Sequence, residues 1–413
     1  MSNFGQILKE IGEFGLFQKR LLLALCILNM YPAFDNGLIE ASQSISMAGI
    51  LFGALVYGTI SDRFGRRFAI LLAVFLLLVF GVGIAFSPNI YVYMVLKFFC
   101  GTSIILFCFT ALEWTDPSKS ALCTVAILTF FSIGLISLSG IAYLIHNWRI
   151  LQLVLFSPLV IVFVAHCWFL PESARLLLTH GRKEEARKEL QRAARINGRK
   201  LPEDLLDKIN MESTPEKRNM FDIFKIPYLR KYTLIMGFNW FAASLLFYGL
   251  SLNVGGFGLN IYLTQFIFAL VEFPANICGL TLIQHFGRRI CEACFLFFGG
   301  AACLVVLAVP RDLPVVVTVI AVVGKFSATA SFTTAYVYAA ELYPTVLRQN
   351  GIGLNSMCAR VAGILAPLIR LLEVYHYTIP MLIYGIVPIA AGGFCLLLPE
   401  TLNVELQDHT ELK

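Results

Sequence analysis

The sequence predicts an all-α polytopic membrane protein built from two related halves of six helices each. Three observations predict it: a series of apolar runs of membrane-spanning length, a scarcity of charge, and a set of motifs that occurs twice in the same order. Of the 413 residues, 58% are hydrophobic and 14% are charged, against about 25% charged in an ordinary soluble domain. That apolar content exceeds what one soluble core can use, so lipid is the expected solvent.

A spanning helix needs about 20 apolar residues. Runs of that kind lie near 41–60, 68–86, 90–112, 121–145, 148–170, 232–252, 259–283, 290–309, 314–340, 351–372 and 378–398. A twelfth run, 21–34, is short and ends at Pro32, Asp35 and Asn36, which gives 11–12 spans with the first helix shortened. Before it, Phe4, Ile7, Leu8, Ile11 and Phe14 recur at helical spacing and predict an amphipathic helix over 3–17, lying on the membrane surface.

The net charge of +6 is not spread evenly. Nearly half of the Lys and Arg fall between 171 and 231, where two helical patterns, 182–196 and 202–210, predict a solvated loop. Loops expected on the other side carry few basic residues, among them Arg149, Arg311 and Arg370. The asymmetry reports membrane orientation, not nucleic-acid binding, and puts both termini and this loop in the cytosol. The organisation expected is an N-terminal bundle with its amphipathic helix over 1–170, a cytoplasmic loop over 171–230, a C-terminal bundle over 231–398 and a cytoplasmic tail over 399–413.

Other classes find little support. The 11 cysteines lie mostly inside apolar runs without paired C-x-x-C spacing, so they read as small buried residues, not disulfides or a zinc site. The first 20 residues, with Lys9, Glu10, Glu13, Lys19 and Arg20, do not form a cleavable signal peptide. The six histidines are scattered, no nucleophilic triad converges, and no phosphate-binding G-x-x-x-x-G-K-[ST] loop is present, so neither an enzyme nor an ATP-driven pump is expected, and no cofactor.

The repeat decides the architecture. D-R-F-G-R-R at 62–67 matches H-F-G-R-R at 285–289; Glu113 in E-W-T-D-P matches Glu341 in E-L-Y-P-T; P-E-S at 171–173 matches P-E-T at 399–401. Three ordered pairs at nearly one separation indicate a duplicated six-helix bundle. The Gly-Arg-Arg turns, Gly65-Arg66-Arg67 and Gly287-Arg288-Arg289, place cations on the cytosolic side. There they can meet helix ends and the carboxylates Glu113, Glu172, Glu341 and Glu400. The gating set expected from these motifs also includes Asp62, Arg63, Arg175 and Arg348. Aligning the halves shows the first to be shorter, from Leu21 to Gly65 against Tyr232 to Gly287, and again around its fourth helix.

Charges inside spans are costly, roughly 2.5–3.5 kcal/mol each on insertion scales, and so are functional candidates. Four stand out: Lys97, Glu272, Lys325 and Arg360. Lys97 is expected to be structural or conformational. The second half then carries two cations against one evident acid, which suits an anionic substrate held by Arg360 and Lys325. The competing arrangement is a Glu272–Lys325 pair with Arg360 capping backbone carbonyls. Phe131, Phe247, Tyr248, Phe332 and Tyr336 could line an amphipathic pocket for a flat aromatic acid.

The sequence resembles the organic ion transporters of solute carrier family 22, members of the major facilitator superfamily. The resemblance is carried end to end by I-G-E-F-G-L-F-Q (11–18), S-D-R-F-G-R-R (61–67), N-W-R (147–149), P-E-S-A-R-L-L (171–177), F-Y-G-L (247–250), E-L-Y-P-T-V-L-R-Q (341–349) and L-P-E-T (398–401). The stretches 313–325 and 380–385 resemble the organic anion branch, in particular the member 13-like nicotinate and urate transporters. The resemblance implies the major facilitator fold and residence in the plasma membrane. It implies alternating-access exchange of a small organic anion against an intracellular one such as lactate or a dicarboxylate. Arg360 matches the cationic position of the anion branch, Lys325 another basic position, and Phe131, Phe247, Tyr248 and Phe332 aromatic positions lining the pocket. The chain departs from the family at Asn276, where a basic residue is common, and at Leu135, where Gln is common. It also lacks the long cysteine-bearing loop between the first two helices. Transport of cations or zwitterions on the same fold, or a shortened form that does not transport, are the alternatives left open, as is the oligomeric state.

Overall fold

A computed structural model describes residues 40–103, 120–179, 181–199, 222–310, 312–344 and 347–402. Among them the chain is helical, and every one of the eleven expected runs contains a helix. In order these are α1 (Glu40–Phe64), α2 (Arg66–Ala85), α3 (Ile90–Thr102), α4 (Ser120–Leu144), α5 (Trp148–Phe156), α6 (Leu159–Phe169), α7 (Ala174–Thr179), α8 (Lys183–Ile196), α9 (Asp222–Lys225), α10 (Pro227–Leu252), α11 (Ile261–Phe286), α12 (Arg288–Ala308), α13 (Pro314–Leu342), α14 (Arg348–Arg370) and α15 (Thr378–Cys395). Eight helical stretches among the described residues are long and apolar enough to cross a membrane. The short run 21–34, the amphipathic pattern at 3–17 and the pattern at 202–210 lie outside the described residues.

One expectation changes. The run 148–170 is not a single helix but α5 and α6, interrupted at Ser157-Pro158. The cause is Pro158, which has no backbone N–H to donate and whose ring crowds the preceding turn. In the polar loop, α8 forms where 182–196 predicted it. It turns Ala186, Leu190, Ala193 and Ala194 inward at i, i+4, i+7 and i+8, and leaves its charged face exposed.

The described residues fall into two compact units. One comprises Gly49–Gly134 and Leu144–Pro215; the other comprises Glu216–Lys413 with the short stretches Gly37–Ala48 and Leu135–Tyr143. In the first, α2 packs against α3, α5 and α6. Helix α2 is apolar all round, as a lipid-facing helix must be. Ala69, Ile70, Ala73, Val74, Leu77 and Gly81 are buried, while Phe68, Phe75 and Val79 are exposed. Asn89, Asn147 and Asn260 cap α3, α5 and α11 by accepting from the N–H of Val92, Arg149 and Tyr262, which satisfies donors that helix starts leave open.

In the second unit α10 lies along α14, α11 along α13, and α12 between α13 and α15. Lipid gives helices no hydrophobic reason to associate, so small residues that allow close approach do this work. Gly300 on α12 faces the carbonyl of Gly385 on α15; a Cβ there would lie 2.5 Å from that oxygen and 2.7 Å from Ile389. Gly300→Val is therefore expected to cost roughly 1–3 kcal/mol by overpacking. It would be read as a lower unfolding midpoint of detergent-purified protein, and an unchanged midpoint would refute the contact. The largest buried side chains, Trp240, Tyr338, Tyr343 and Tyr384, fill the core of this unit. The tyrosine hydroxyls are satisfied: Tyr384 donates to Ala366 O at 2.6 Å, Tyr343 to Thr233 Oγ1 at 3.1 Å and Tyr338 to Pro399 O.

Candidate functional site

Two groups of residues carry the chemistry of the second unit, one in the middle of its helices and one at its Gly-Arg-Arg turn.

The middle group is built on α10, α11, α13 and α14. Lys325 on α13 is buried, and its ammonium has three neighbours. Glu272 Oε1 of α11 lies 3.3 Å away, with the two side chains 2% and 3% exposed. Ser251 Oγ of α10 accepts a hydrogen bond at 2.8 Å. The ring of Phe247 lies beneath it, 3.0 Å from nitrogen to centroid. An ammonium has three donors, and a cation over a ring face is attracted by the ring quadrupole. The charge is thus met from three sides without solvent.

Phe247 also packs edge-on against Tyr248 and Phe332, with centroids 5.4 Å and 5.6 Å apart. Tyr248 is in turn hydrogen-bonded to Arg360 of α14. Arg360 is half-buried and its Nε has no hydrogen-bond partner among the described residues. No carboxylate of the described residues stands within ion-pair distance of it. A guanidinium carries five donors, and the one on Nε is left without a protein acceptor here.

The structure thus brings together Lys325, Phe247, Phe332, Tyr248 and Arg360 of the sequence-predicted pocket, and adds Ser251 and Glu272. It does not bring Tyr336 into that set. One helical turn beyond Phe332, Tyr336 packs edge-on against Trp240, 4.3 Å between centroids, within the cluster around Met236, Tyr338 and Tyr343. Phe131 is half-buried on α4, in the first unit. Asn276, where the resemblance leads one to expect a cation, accepts instead from Thr333 Oγ1 at 2.6 Å, and Leu135 is buried. In the first unit Lys97 is buried on α3, near the ring of Tyr93.

The turn group occurs twice. Gly287 has φ 91° and ψ 161°, and Gly65 has φ 107° and ψ 152°, conformations that only glycine adopts without strain. After each turn a helix begins, and its first amide N–H groups point at one carboxylate. Arg288 N and Arg289 N donate to Glu400 at 2.8 Å and 3.1 Å. Arg66 N and Arg67 N donate to Glu172 at 2.7 Å and 3.2 Å. The acids of P-E-S and P-E-T therefore cap the helices that follow the Gly-Arg-Arg turns, where the helix dipole also favours negative charge.

The arginine side chains extend the contact. Arg288 Nη2 meets Glu341 Oε1 at 2.8 Å, and Thr401 Oγ1 donates to Glu341 Oε2 at 2.7 Å. Tyr338 donates to Pro399 O, which fixes the start of the P-E-T segment. In the first unit Arg67 Nη2 reaches Cys167 O at 2.8 Å and Arg66 Nη1 reaches Ser61 Oγ at 2.7 Å. Helix α8 joins this network through Glu189. Burial raises its carboxyl above the usual range, while Arg192 and Arg67 pull it the other way. Arg63 lies over the ring of Phe64, 5.6 Å away. Glu113 lies outside the described residues, as do the side chains of Asp62, Arg175 and Arg348.

Sequence reasoning missed one acid. Glu292 on α12 is fully buried, with Oε1 accepting from Ser331 Oγ of α13 at 2.8 Å. It lies within the apolar run 290–309, three residues after Arg289, and was not among the span charges singled out. Its position one turn inside the apolar run was the available signal.

Comparison with known proteins follows the same lines. Residues 28–412 match the sugar (and other) transporter family. Solute carrier family 22 member 13 of Homo sapiens is 45% identical over 373 residues, covering 89% of this chain and 68% of the relative. Organic anion transporter 3 of Homo sapiens is 38% identical over 389 residues, covering 91% and 72%. Among solved structures, the inward-open xylose transporter XylE of E. coli superposes with a TM-score of 0.73 at 15% identity, over 94% of this chain and 98% of that one. That likeness is one of fold, the major facilitator fold.

Proposed function

Because the chain belongs to solute carrier family 22, within the wider sugar (and other) transporter family, we propose that it is a secondary-active carrier of small organic anions. The class is that of nicotinate, urate and other aromatic carboxylates. It works by alternating access, in exchange for an intracellular organic anion. It is a carrier, not an enzyme. It resides in the plasma membrane with both termini in the cytosol, and 1–170 and 231–398 form its two bundles.

The observation that carries this reading is Arg360. A guanidinium held among spanning helices, bonded to a tyrosine and opposed by no carboxylate of the described residues, is a receptor for a solute carboxylate. The aromatic rings of Phe247, Tyr248 and Phe332 beside it suit a flat solute body. In the turn group, the Glu172 and Glu400 caps with Arg288–Glu341 hold the helix ends of each unit together, and their release accompanies opening to the cytosol.

The test is uptake of labelled nicotinate and urate by cells expressing this chain, normalised to the surface-labelled amount. Saturable uptake, accelerated by preloading the cells with an organic anion, is the expected result. Normal surface level with no saturable flux of either anion would refute the reading and leave a membrane protein that does not transport them.

A further inference from the structure

Three residues of the middle group, Phe247, Tyr248 and Ser251, lie in the last two turns of α10. A helix end leaves its final carbonyls without partners from within the helix. Two of these carbonyls are met by side chains. Asn253 Nδ2 donates to Gly249 O at 2.8 Å, and Arg370 Nη1 reaches across from α14 to donate to Leu252 O. A cation suits this place, because the helix dipole is negative there. Glu373 Oε2 lies 4.0 Å from Arg370 Nε, and its side chain is more than half exposed.

Arg360 and Arg370 share α14, with Pro367 between them. Proline supplies no N–H to the carbonyl of Gly363, so the helix ladder is weakened between the two arginines. Helix α14 is therefore tied to α10 on both sides of its weak point. Arg360 holds Tyr248 on one side, and Arg370 holds Leu252, one turn further along α10, on the other.

We propose that Arg370 is a positioning residue for the solute site. By capping α10 it fixes that helix end against α14 and keeps Tyr248 where it meets Arg360. A guanidinium oriented in advance binds a carboxylate more tightly than one that must be ordered on binding. Without the cap, Tyr248 and Arg360 lose their common frame, and affinity falls while turnover does not. This inference rests on the anion-carrier reading given above.

The test is the KM for labelled nicotinate, with kcat expressed per surface-labelled molecule. Arg370→Leu should raise KM about five- to tenfold, the scale of one lost charge-assisted hydrogen bond, at nearly unchanged kcat. Arg370→Lys restores a donor and should recover most of the loss. Glu373→Gln leaves the bond to Leu252 O in place and should not raise KM. In a Tyr248→Phe background, Arg370→Leu should add little, since both changes break the same frame.

An unchanged KM in Arg370→Leu overturns the proposal, as does a loss confined to surface level. A full additional effect in the Tyr248→Phe background overturns it too, because it would mean that Arg370 acts by attracting the anion and not through Tyr248. If Arg370→Leu is retained inside cells, the same comparison is made on protein purified from total membranes, as the nicotinate concentration giving half-maximal thermal stabilisation. A five- to tenfold rise over the native chain supports the proposal on the same hydrogen-bond scale of about that size, and an equal value refutes it. A native chain with neither saturable uptake nor stabilisation by nicotinate would refute the carrier reading and this inference together, whereas native uptake with an unmoved KM in the variant refutes the inference alone.

Discussion

Arg360→Ala should abolish most saturable uptake of a monocarboxylate at an unchanged surface level. Hydrogen bonds to a charged partner contribute about 1.5–3 kcal/mol net, which corresponds to a fall in kcat/KM of roughly 10- to 150-fold. Arg360→Lys keeps the charge but loses the planar fork that accepts a carboxylate through two parallel bonds, so it should fall between the two. Arg360→Asp should be the worst, since it adds repulsion of the anion to the loss of the receptor. The measurement is initial uptake over a concentration series. If Arg360 serves only to tie Tyr248 and α14 to α10, KM for surface-resident protein will not move, and the assignment of this residue to the solute will be wrong.

The second large effect is expected at Gly287. Its backbone conformation lies where L-residues are strained by about 1–3 kcal/mol, and a Cβ would enter the space of the Glu400 carboxylate. Alanine therefore strains the turn and pushes away the acid that caps α12. Unseating the cap adds about 1–2 kcal/mol. Gly287→Ala should thus lower the unfolding midpoint of purified protein markedly and reduce the amount reaching the surface. Gly65→Ala should do the same through Glu172. Gly353→Ala is the control: it lies in helix α14 with open space around a Cβ, and should leave the midpoint nearly unchanged or slightly raised. Equal midpoints for Gly287→Ala and Gly353→Ala would dismiss the turn as a structural constraint.

How much of this could be read in advance follows from the range of the interactions. Spanning helices are set by local composition, so the runs from 41–60 to 378–398 could be read directly. The repeat could be read because both copies keep the same letters, and the structure gives the reason: a glycine for the turn and an acid for the amides that follow it. Arg360 and Lys325 stood out because charge in lipid is costly. What could not be read was pairing across helices. Nothing local to Glu272 or Lys325 says that α11 and α13 bring them within 3.3 Å, and the choice between a paired and a substrate-binding lysine depends on that distance. Tyr336 illustrates the same limit. It shares a helix face with Phe332, but one turn along the helix the neighbour is Trp240 in place of Phe247. Glu292 was not among the span charges singled out, although it lies within the apolar run 290–309.

The duplicated cap has one more consequence. Glu172 and Glu400 are held by main-chain amides in half-buried surroundings. Exposed ion pairs fade as salt is added, because mobile ions screen them over a Debye length of about 8–10 Å at physiological strength. Amides fixed at a helix start carry no counter-ion cloud to be exchanged. Both turns should therefore keep their hold across the ionic conditions a cell meets. They are also indifferent to the side chains that supply those amides: at Arg289 the backbone donor would remain with almost any residue other than proline.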